Sequence, residues 1–292
     1  MSAHDASAVQ ARIDSISWYH EFDFGNGMRA RSATPTPLVD DHRRLWRFIE
    51  QQLDTVAFQG KSVLDIGCWD GYWSFYAERR GAASVLATDD RTQNWSDGRG
   101  FLLAKELYGS SVEVNQDLSV YRLASLNRTF DIILLLGVYY HLFDPFHALA
   151  QIRHCCHPNT LVLIDGPEAL VLPPGAALLD YSKHDCEWLP TWEALHQMLQ
   201  AAYFSVVSCT RLDLSPPRPL GRLGWRWRLR MCGQVLRGSL PGIQASYSQI
   251  EGANRRVFLK CMPCGGEGLE GIHAYRPPFG LHEYDHRFRS NA

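Results

Sequence analysis

Short apolar runs alternate with longer mixed segments along most of the chain. Five of these runs lie at residues 62–66, 84–88, 111–114, 130–136 and 160–165. The segments that separate the first four are compatible with helices or mixed in character. Continuous apolar strands that alternate with helices are typical of a parallel sheet whose two faces are both covered. The pattern therefore predicts an α/β fold.

The remaining elements are three helices and two later strands. An amphipathic helix is expected at 39–56, and helices with clear N-terminal signals are expected at 144–154 and 191–202. Strands at 204–209 and 256–261 have no obvious crossover helix between them, which favours a reversed final strand. We therefore predict a Rossmann-like sheet of seven strands with helices on both faces. Ligands bind at the carboxyl ends of the strands in such sheets.

Shifts in composition divide the chain into three parts. We expect residues 1–37 to form an N-terminal arm or lid, and residues 38–264 to form the main domain. An insertion at 211–255 precedes the last strand. The tail at 265–292 is rich in aromatic and histidine residues, and we expect it to pack back on the domain.

Composition and charge are ordinary for a globular protein of 292 residues. The formal net charge of −2 argues against a surface that coats nucleic acid uniformly. The N-terminal residues show no signal-peptide pattern, and the longest apolar run, at 132–140, is too short to span a bilayer. The single C-x-x-C, at Cys261 and Cys264, lacks the second pair that a zinc site needs. We therefore expect a cytoplasmic protein without a metal site or a membrane span.

The first strand runs into a glycine-bearing turn, SVLDIGCWDGY at residues 62–72. A dinucleotide-binding turn would need glycine at Trp69 and Tyr72, and no Walker lysine follows Gly71. The turn therefore accepts a ligand close to its backbone without needing to cradle phosphates. S-adenosylmethionine (SAM) has no phosphate, so we predict SAM as the cofactor and S-adenosylhomocysteine (SAH) as the product. The expected contacts in this turn are Asp65, Gly67, Cys68, Trp69 and Gly71.

Later strand ends supply further candidate cofactor contacts. Asp89 ends the second strand about twenty residues after the turn, where an acid can accept hydrogen bonds from both ribose hydroxyls. Asp90 could take this role instead, and the sequence does not choose between them. Asp117 and Leu118 follow the third strand, where a carboxylate can accept from the adenine amino group, and Gly137 follows the fourth.

From residue 62 onward the chain resembles class I SAM-dependent methyltransferases, and more narrowly the group of the tRNA wobble-uridine carboxymethyltransferases. The resemblance is carried by VLDIGCWDGYWSFYAERRGAASVLATD and by the more group-specific FDIILLLGVYYHLFDPFHALAQI. W-Y-H at 18–20 and Asn-Gly at 26–27 also resemble the N-terminal arm of that group. The resemblance covers residues 15–165 well and 185–262 loosely. It implies a SAM-dependent transferase.

One departure from this group bears on the cofactor. Its tRNA-modifying members use a carboxylated SAM, whose carboxylate is read by an N-terminal lysine, a tyrosine of the G-V-x-Y-H motif and an arginine before the last strand. Tyr140 and Arg255 match the last two, but residues 1–60 contain no lysine. Because an uncompensated carboxylate in a closed site costs several kcal/mol, we expect ordinary SAM and plain methyl transfer.

The acceptor is expected at the tip of the fourth strand, facing the methyl group of the cofactor. His141 is the first candidate for the base because an imidazole titrates near neutral pH, although it could equally pack on the following helix. Tyr140 and His20 complete the catalytic candidates, and Tyr140 is expected to shape the cofactor pocket rather than transfer a proton. The expected substrate-binding residues are Tyr19, Tyr139 and Arg255.

The insertion before the last strand is strongly basic. Residues 211–240 contain seven arginines, one acid and two tryptophans. A substrate lid, a membrane-surface helix, an RNA-facing patch and a simple solvated hairpin all fit this composition, and we favour a lid. We expect methyl transfer to an oxygen or nitrogen of a small-molecule acceptor. A tRNA-modifying enzyme of the resembled group is the alternative, so nucleic acid is the less favoured partner. A non-catalytic SAM-binding protein is a third hypothesis.

Overall fold

A seven-stranded sheet lies at the centre of the computed structural model, which describes residues 3–36, 38–170, 172–179, 188–214 and 254–264. Numbered in chain order, the strands lie across the sheet as β10 (Phe204–Leu212), β11 (Asn254–Pro263), β7 (Cys156–Ala169), β6 (Phe130–Leu136), β3 (Ser62–Ile66), β4 (Ser84–Thr88) and β5 (Glu113–Asn115). Strands β3 to β7 pair in parallel, whereas β11 runs antiparallel to both of its neighbours. The prediction of seven strands with a reversed final strand is confirmed. The strand order changes direction between β3 and β6, and ligands bind at such points.

The sheet buries apolar side chains on both faces because successive residues of a strand point to opposite sides. In β6, Ile132, Leu134 and Leu136 join one apolar cluster, while Ile133 and Leu135 join the other. The first cluster includes residues of α2 (Leu38–Leu53), α3 (Tyr72–Arg79) and α4 (Arg99–Tyr108), and the second includes residues of α5 (Pro145–His154) and α6 (Trp192–Ala201). The expected helices on both faces are therefore present.

Two of the predicted helices begin where their capping signals indicated. The carboxylate of Asp144 accepts from the backbone N–H of His147 at 2.9 Å, and Pro145 takes the first helical position. The hydroxyl of Thr191 accepts from the backbone N–H of Ala194 at 3.3 Å. Helix α5 therefore starts shortly after the tip of β6, where the acceptor is expected.

The N-terminal arm packs against the domain and shares its core. It contains α1 (Ala3–Asp14) and a hairpin of β1 (Phe22–Gly25) and β2 (Met28–Ala30). Trp18 is 2% exposed and belongs to the same apolar cluster as α2 and α3. Its indole N–H donates to the carbonyl of Ile13 at 2.9 Å, and this hydrogen bond ties the segment after α1 to the end of that helix.

Some expectations fall on residues outside the described ranges. The basic segment at 211–240 is described only as far as residue 214, and the tail at 265–292 lies wholly outside, so the lid and the packed tail stay predictions. A second small hairpin, β8 (Ala177–Leu179) with β9 (Trp188–Pro190), follows β7. No helix in the described ranges has the length and apolar character needed to cross a membrane. Within the same ranges, no group of three or more acidic, histidine or cysteine side chains could hold a metal ion.

Candidate functional site

The turn that joins β3 to α3 has a left-handed backbone at three positions. Gly67, Trp69 and Gly71 have φ angles of +69°, +53° and +85°. A Cβ atom at Gly67 would lie 2.7 Å from a methyl carbon of Val138, so glycine lets the turn approach the tip of β6. The backbone N–H of Gly67 donates to the carbonyl of Thr88 at 2.8 Å, which ties the turn to the end of β4.

Trp69 forms an aromatic wall beside the turn together with Trp95. The two rings meet edge to face, with centroids 5.1 Å apart. Trp95 is 56% exposed, and its indole N–H donates to the carbonyl of Ser17 at 3.0 Å. The indole nitrogen of Trp69 is buried and forms no hydrogen bond with any described residue. A tryptophan is therefore accommodated in the turn, and its buried N–H forms no hydrogen bond with the described residues.

Asp89, at the end of β4, is held in place by the turn and the loop that follows. Its carboxylate accepts from the side-chain amide of Asn94 at 3.1 Å, from the backbone N–H of Asp90 at 3.0 Å and from that of Trp69. Burial raises the pKa of this carboxyl, so further hydrogen-bond donors would stabilise its ionised form. Asp90 instead accepts from the backbone N–H and the hydroxyl of Thr92, at 3.2 and 2.6 Å. Of the two acids, Asp89 is the one that contacts the turn.

The side chains of Asp65 and Cys68 point into the core beneath the turn. Asp65 accepts the hydroxyl of Ser74. Burial raises its pKa to about 7, with contributions from the carboxylates of Asp89 and Asp70. Cys68 is 3% exposed, and burial raises the pKa of its thiol. These two residues can contact a ligand through their backbone, while the carboxylates of Asp89 and Asp70 give the turn a negative potential that suits a cationic ligand.

Asp117 and Leu118 differ in where their side chains lie. The carboxylate of Asp117 is 69% exposed and pairs with the guanidinium of Arg91 at 2.8 Å. Leu118 is buried, and its backbone N–H donates to the carbonyl of Asp89 at 3.1 Å. A contact between Asp117 and an adenine would require this exposed ion pair to open, so that role stays a prediction. Leu118 supports the strand end that carries Asp89.

The two neighbouring tyrosines after the tip of β6 point in different directions. Gly137 has a φ of +78°, and the nearest atom to a Cβ built there is the hydroxyl oxygen of Tyr140, at 3.6 Å. Tyr139 points the other way: it is 1% exposed, and its hydroxyl donates to the carbonyl of Pro167. Its ring lies 2.0 Å from where a Cβ of Gly166 would be. The structure therefore corrects the expectation that Tyr139 binds substrate, because its side chain is part of the packed core.

Tyr140 lies beneath the guanidinium of Arg256, whose central carbon is 4.9 Å from the ring centroid. Arg256 also forms an ion pair with Asp165, which is fully buried at the end of the apolar run of β7. Arg255 instead pairs with Asp213 at 3.2 Å, because neighbouring residues of a strand point to opposite faces. Arg256 is therefore the arginine beside Tyr140, and the expected substrate-binding role of Arg255 stays a prediction.

His141 is exposed on the outer side of Tyr140. The centroids of the two rings are 4.1 Å apart, and His141 ends the short 3₁₀ turn that follows the tip of β6. This position is open to solvent, and His141 stays a candidate base.

The arm brings Tyr19 and His20 to the same region. The ring of Tyr19 is 5.3 Å from that of His42. Burial raises the pKa of Tyr19, and the nearby hydroxyl of Tyr140 adds to the shift. His20 is 4% exposed, and its Nδ1 lies 2.7 Å from a carboxylate oxygen of Asp70. Tyr19 therefore approaches Tyr140, while His20 binds back on the turn.

Five residues of the site were not anticipated from the sequence, namely His42, Asp70, Trp95, Asp165 and Arg256. Asp165 ends the apolar run at residues 160–165 within β7, which resembles the signal that singled out Asp89 and could have identified it. Arg256 could be identified only once the structure showed which side chains of β11 point towards Tyr140. Asp70 and Trp95 bind the arm, far away in the sequence, and no local pattern signals such contacts.

The strand order, the reversed last strand and the glycine turn beside an acidic strand end define the class I methyltransferase fold. Residues 39–209 match the family model described as "Methyltransferase domain". The chain belongs to the methyltransferase domain family. The prediction of a SAM-dependent class I methyltransferase of the group that contains the tRNA wobble-uridine enzymes is confirmed.

Relatives of known name agree with this placement. A tRNA U34 carboxymethyltransferase of Campylobacter hominis is 32% identical over 210 residues, which are 69% of this chain and 69% of that protein. A protein of the same name from Pseudomonas aeruginosa is 30% identical over 226 residues, which are 73% of this chain and 65% of that protein. In relatives from Pseudomonas putida and Shewanella loihica the match covers 52% of their length. The chain thus spans between about half and two thirds of the relatives it matches.

Solved structures share the fold at low sequence identity. The N-terminal domain of EvdMO1 with SAH bound has a TM-score of 0.55 at 16% identity, over 90% of this chain and 100% of that one. The [4+2]-cyclase SpnF has a TM-score of 0.54 at 13% identity, over 89% and 92% of the two chains. These similarities show the fold alone, and the presence of a cyclase among them illustrates that one fold serves different reactions.

Proposed function

We propose that this chain uses ordinary SAM and transfers its methyl group to an oxygen or nitrogen of a small-molecule acceptor. The observation that carries this proposal is the ion pair between Arg256 and Asp165 beside Tyr140. This ion pair decides how much positive charge remains for a carboxylated cofactor, and therefore whether a methyl or a carboxymethyl group is transferred.

The residues around the glycine turn fit SAM. Asp89 is a buried acid with a raised pKa, and two ribose hydroxyls can donate to it. The indole N–H of Trp69 has no partner among the described residues and can donate to the ligand. The buried carboxylate of Asp70 adds negative potential near a cofactor that carries ammonium and sulfonium charges.

The charge on Arg256 is already matched inside the protein. Arg256 is 9% exposed and Asp165 is 0% exposed, and the two groups form an ion pair. A carboxylate on the cofactor would bring a second negative charge to this buried pair, and an unmatched buried charge costs several kcal/mol. Residues 1–60 contain no lysine that could balance it. The charge balance therefore favours ordinary SAM.

The chain has four tasks in such a transfer: binding, alignment, exclusion of water and, for an O–H or N–H acceptor, removal of a proton. SAM, when bound, supplies a methyl group already activated on sulfur. Tyr19 from the arm and Tyr140 from the domain enclose the acceptor side. The free carboxylate oxygen of Asp165 and the Nδ1 of His42 are buried without partners among the described residues, so both can bind polar groups of an acceptor.

Calorimetric titration tests the choice of cofactor. We expect SAM to bind at least ~tenfold more tightly than carboxylated SAM, a difference of about 1.4 kcal/mol. Asp165→Asn is the matched variant, because it removes the negative charge that neutralises Arg256, and it should narrow or reverse this preference. Tighter binding of carboxylated SAM by the unaltered chain would contradict the proposal.

Transfer to tRNA is the second candidate, and the names of the relatives support it more directly than they support a small acceptor. It requires binding to a phosphate backbone, so affinity for bacterial tRNA should fall steeply with salt. Incubation with methyl-tritiated SAM, bacterial tRNA and a deproteinised bacterial extract separates the two candidates. Label in the RNA fraction supports tRNA transfer, and label in the small-molecule fraction supports the first proposal. SAM binding without transfer to either fraction, together with no transfer to tRNA from carboxylated SAM, indicates a non-catalytic binding protein.

A further inference from the structure

The carboxylate of Asp70 fastens the arm to the glycine turn. One of its oxygens accepts from the backbone N–H groups of Tyr19 and His20, at 3.1 and 2.8 Å. The other lies 2.7 Å from the Nδ1 of His20. Asp70 is 2% exposed and stands between Trp69 and Gly71, inside the turn itself. A single buried carboxylate therefore joins the element that binds the cofactor to the segment that covers it.

This geometry fixes the tautomer of His20. An ionised carboxylate can only accept hydrogen bonds, so the proton of the neutral ring must lie on Nδ1. Nε2 then carries a lone pair, and no described residue forms a hydrogen bond with it. A ring that a buried carboxylate orients, with its second nitrogen available, has the arrangement of a general base.

Aromatic side chains hold the imidazole in this orientation. Tyr72 stacks on it with centroids 4.7 Å apart and planes 16° apart, and Trp46 and Trp73 lie at 5.1 and 5.5 Å. The hydroxyl of Tyr72 donates to Glu50 and therefore does not compete for Nε2. The titratable groups that face the ring are Asp70 from the turn, Tyr72 from α3, Tyr19 beside it on the arm and His42 from α2.

We propose that Asp70 is a positioning residue and that His20, rather than His141, is the base for methyl transfer, an inference that rests on the proposed function. Nε2 of His20 takes the proton of the acceptor O–H or N–H as the acceptor atom bonds to the methyl carbon. The bond from that carbon to sulfur breaks, and its electron pair stays on sulfur, which becomes a neutral thioether. The resulting imidazolium faces the Asp70 carboxylate, which stabilises its charge until the proton passes to water.

Nitrogen-15 NMR of the histidine-labelled protein tests the tautomer without any acceptor. We expect His20, assigned by its loss in His20→Gln, to be protonated on Nδ1 at neutral pH. In Asp70→Asn the amide oxygen can still accept from both backbone N–H groups, so the arm stays attached. Its NH₂ group then faces Nδ1 and moves the ring proton to Nε2. A ring protonated on Nε2 in the unaltered protein would overturn the proposal.

Transfer rates separate this role from a merely structural one. The probe is methyl-tritiated SAM with unfractionated bacterial tRNA and a deproteinised bacterial extract, assayed from pH 5.5 to 9. We expect His20→Gln to lower the rate ~10²-fold and Asp70→Asn at least ~tenfold. In both variants the transfer rate should no longer fall towards low pH, while their SAM affinity changes less than ~threefold. Added imidazole should restore part of the rate of His20→Gln.

Asp23→Asn is the matched control, since Asp23 is an exposed carboxylate of the same arm that pairs with Arg29. This variant should keep the full rate and the pH profile. Wild-type rates and profiles in both His20→Gln and Asp70→Asn would overturn the assignment of the base. Absence of transfer by the unaltered protein would instead refute the proposed function, so the two failures are distinct.

Discussion

Replacing Asp65 by asparagine should change how the stability of the protein depends on pH. This carboxyl is 2% exposed, and burial raises its pKa from the ordinary 3.8 to about 7. The folded state holds the proton more tightly than the unfolded chain. The contribution to the free energy of unfolding is therefore fully present below about pH 4 and is lost as the pH rises through about 7. At 1.36 kcal/mol per pKa unit, the loss amounts to about 4 kcal/mol.

Asparagine stays neutral at every pH and still accepts from the Ser74 hydroxyl, so Asp65→Asn lacks this loss. Urea unfolding followed by tryptophan fluorescence between pH 4 and 8 measures both proteins. We expect similar stabilities near pH 4 and a variant more stable by up to about 4 kcal/mol near pH 8. Asp54→Asn, at an exposed carboxylate, is the control and should differ from the unaltered protein by less than about 1 kcal/mol throughout. A difference for Asp65→Asn that is constant across this range would refute the reasoning.

Three further pairs of measurements test the assignment of the site. Asp89→Ala should weaken SAM binding at least ~tenfold, and an unchanged affinity would remove the ribose contact. Asp117→Ala should weaken SAM binding by a smaller factor, because the carboxylate of Asp117 is exposed. Tyr139→Phe should lower the free energy of unfolding by about 1 kcal/mol because it removes the hydrogen bond of the hydroxyl. It should leave SAM affinity and methyl transfer unchanged, and a loss of methyl transfer would restore the substrate-binding role of Tyr139. Arg256→Ala should lower the free energy of unfolding by about 3–5 kcal/mol because it leaves a buried carboxylate unpaired. Arg255→Ala should lower it by less than about 1 kcal/mol. Equal effects of the two substitutions would contradict the faces of β11 to which these residues are assigned.

The strands and the acid at the end of β4 could be predicted because their signals are local. A run such as Ile132 to Leu136 is apolar at every position since both faces of its strand are covered. Asp89 was identified by its distance from the glycine turn and its place at a strand end. The structure adds the reason for choosing it over Asp90, whose carboxylate accepts from Thr92 in the next loop.

Sequence reasoning was insufficient where one residue of register decides which way a side chain points. Tyr139 and Tyr140 are adjacent, yet the first enters the core and the second faces Arg256. Arg255 and Arg256 are likewise adjacent and point to opposite faces. A pattern of residue types does not distinguish such neighbours. The role of Asp70 was missed for another reason, because its partners lie about fifty residues away on the arm.

The antiparallel course of β11 determines where the basic insertion is rooted. Leu212, the last residue of β10, pairs with Arg256 near the start of β11, and Arg256 pairs with Pro167 near the end of β7. The chain thus leaves the sheet and rejoins it at the rim that carries the glycine turn. Exchange or shortening of the intervening segment would disturb no strand pairing of the described sheet. With the predicted lid role of this segment, a change of acceptor would need no change in the described scaffold.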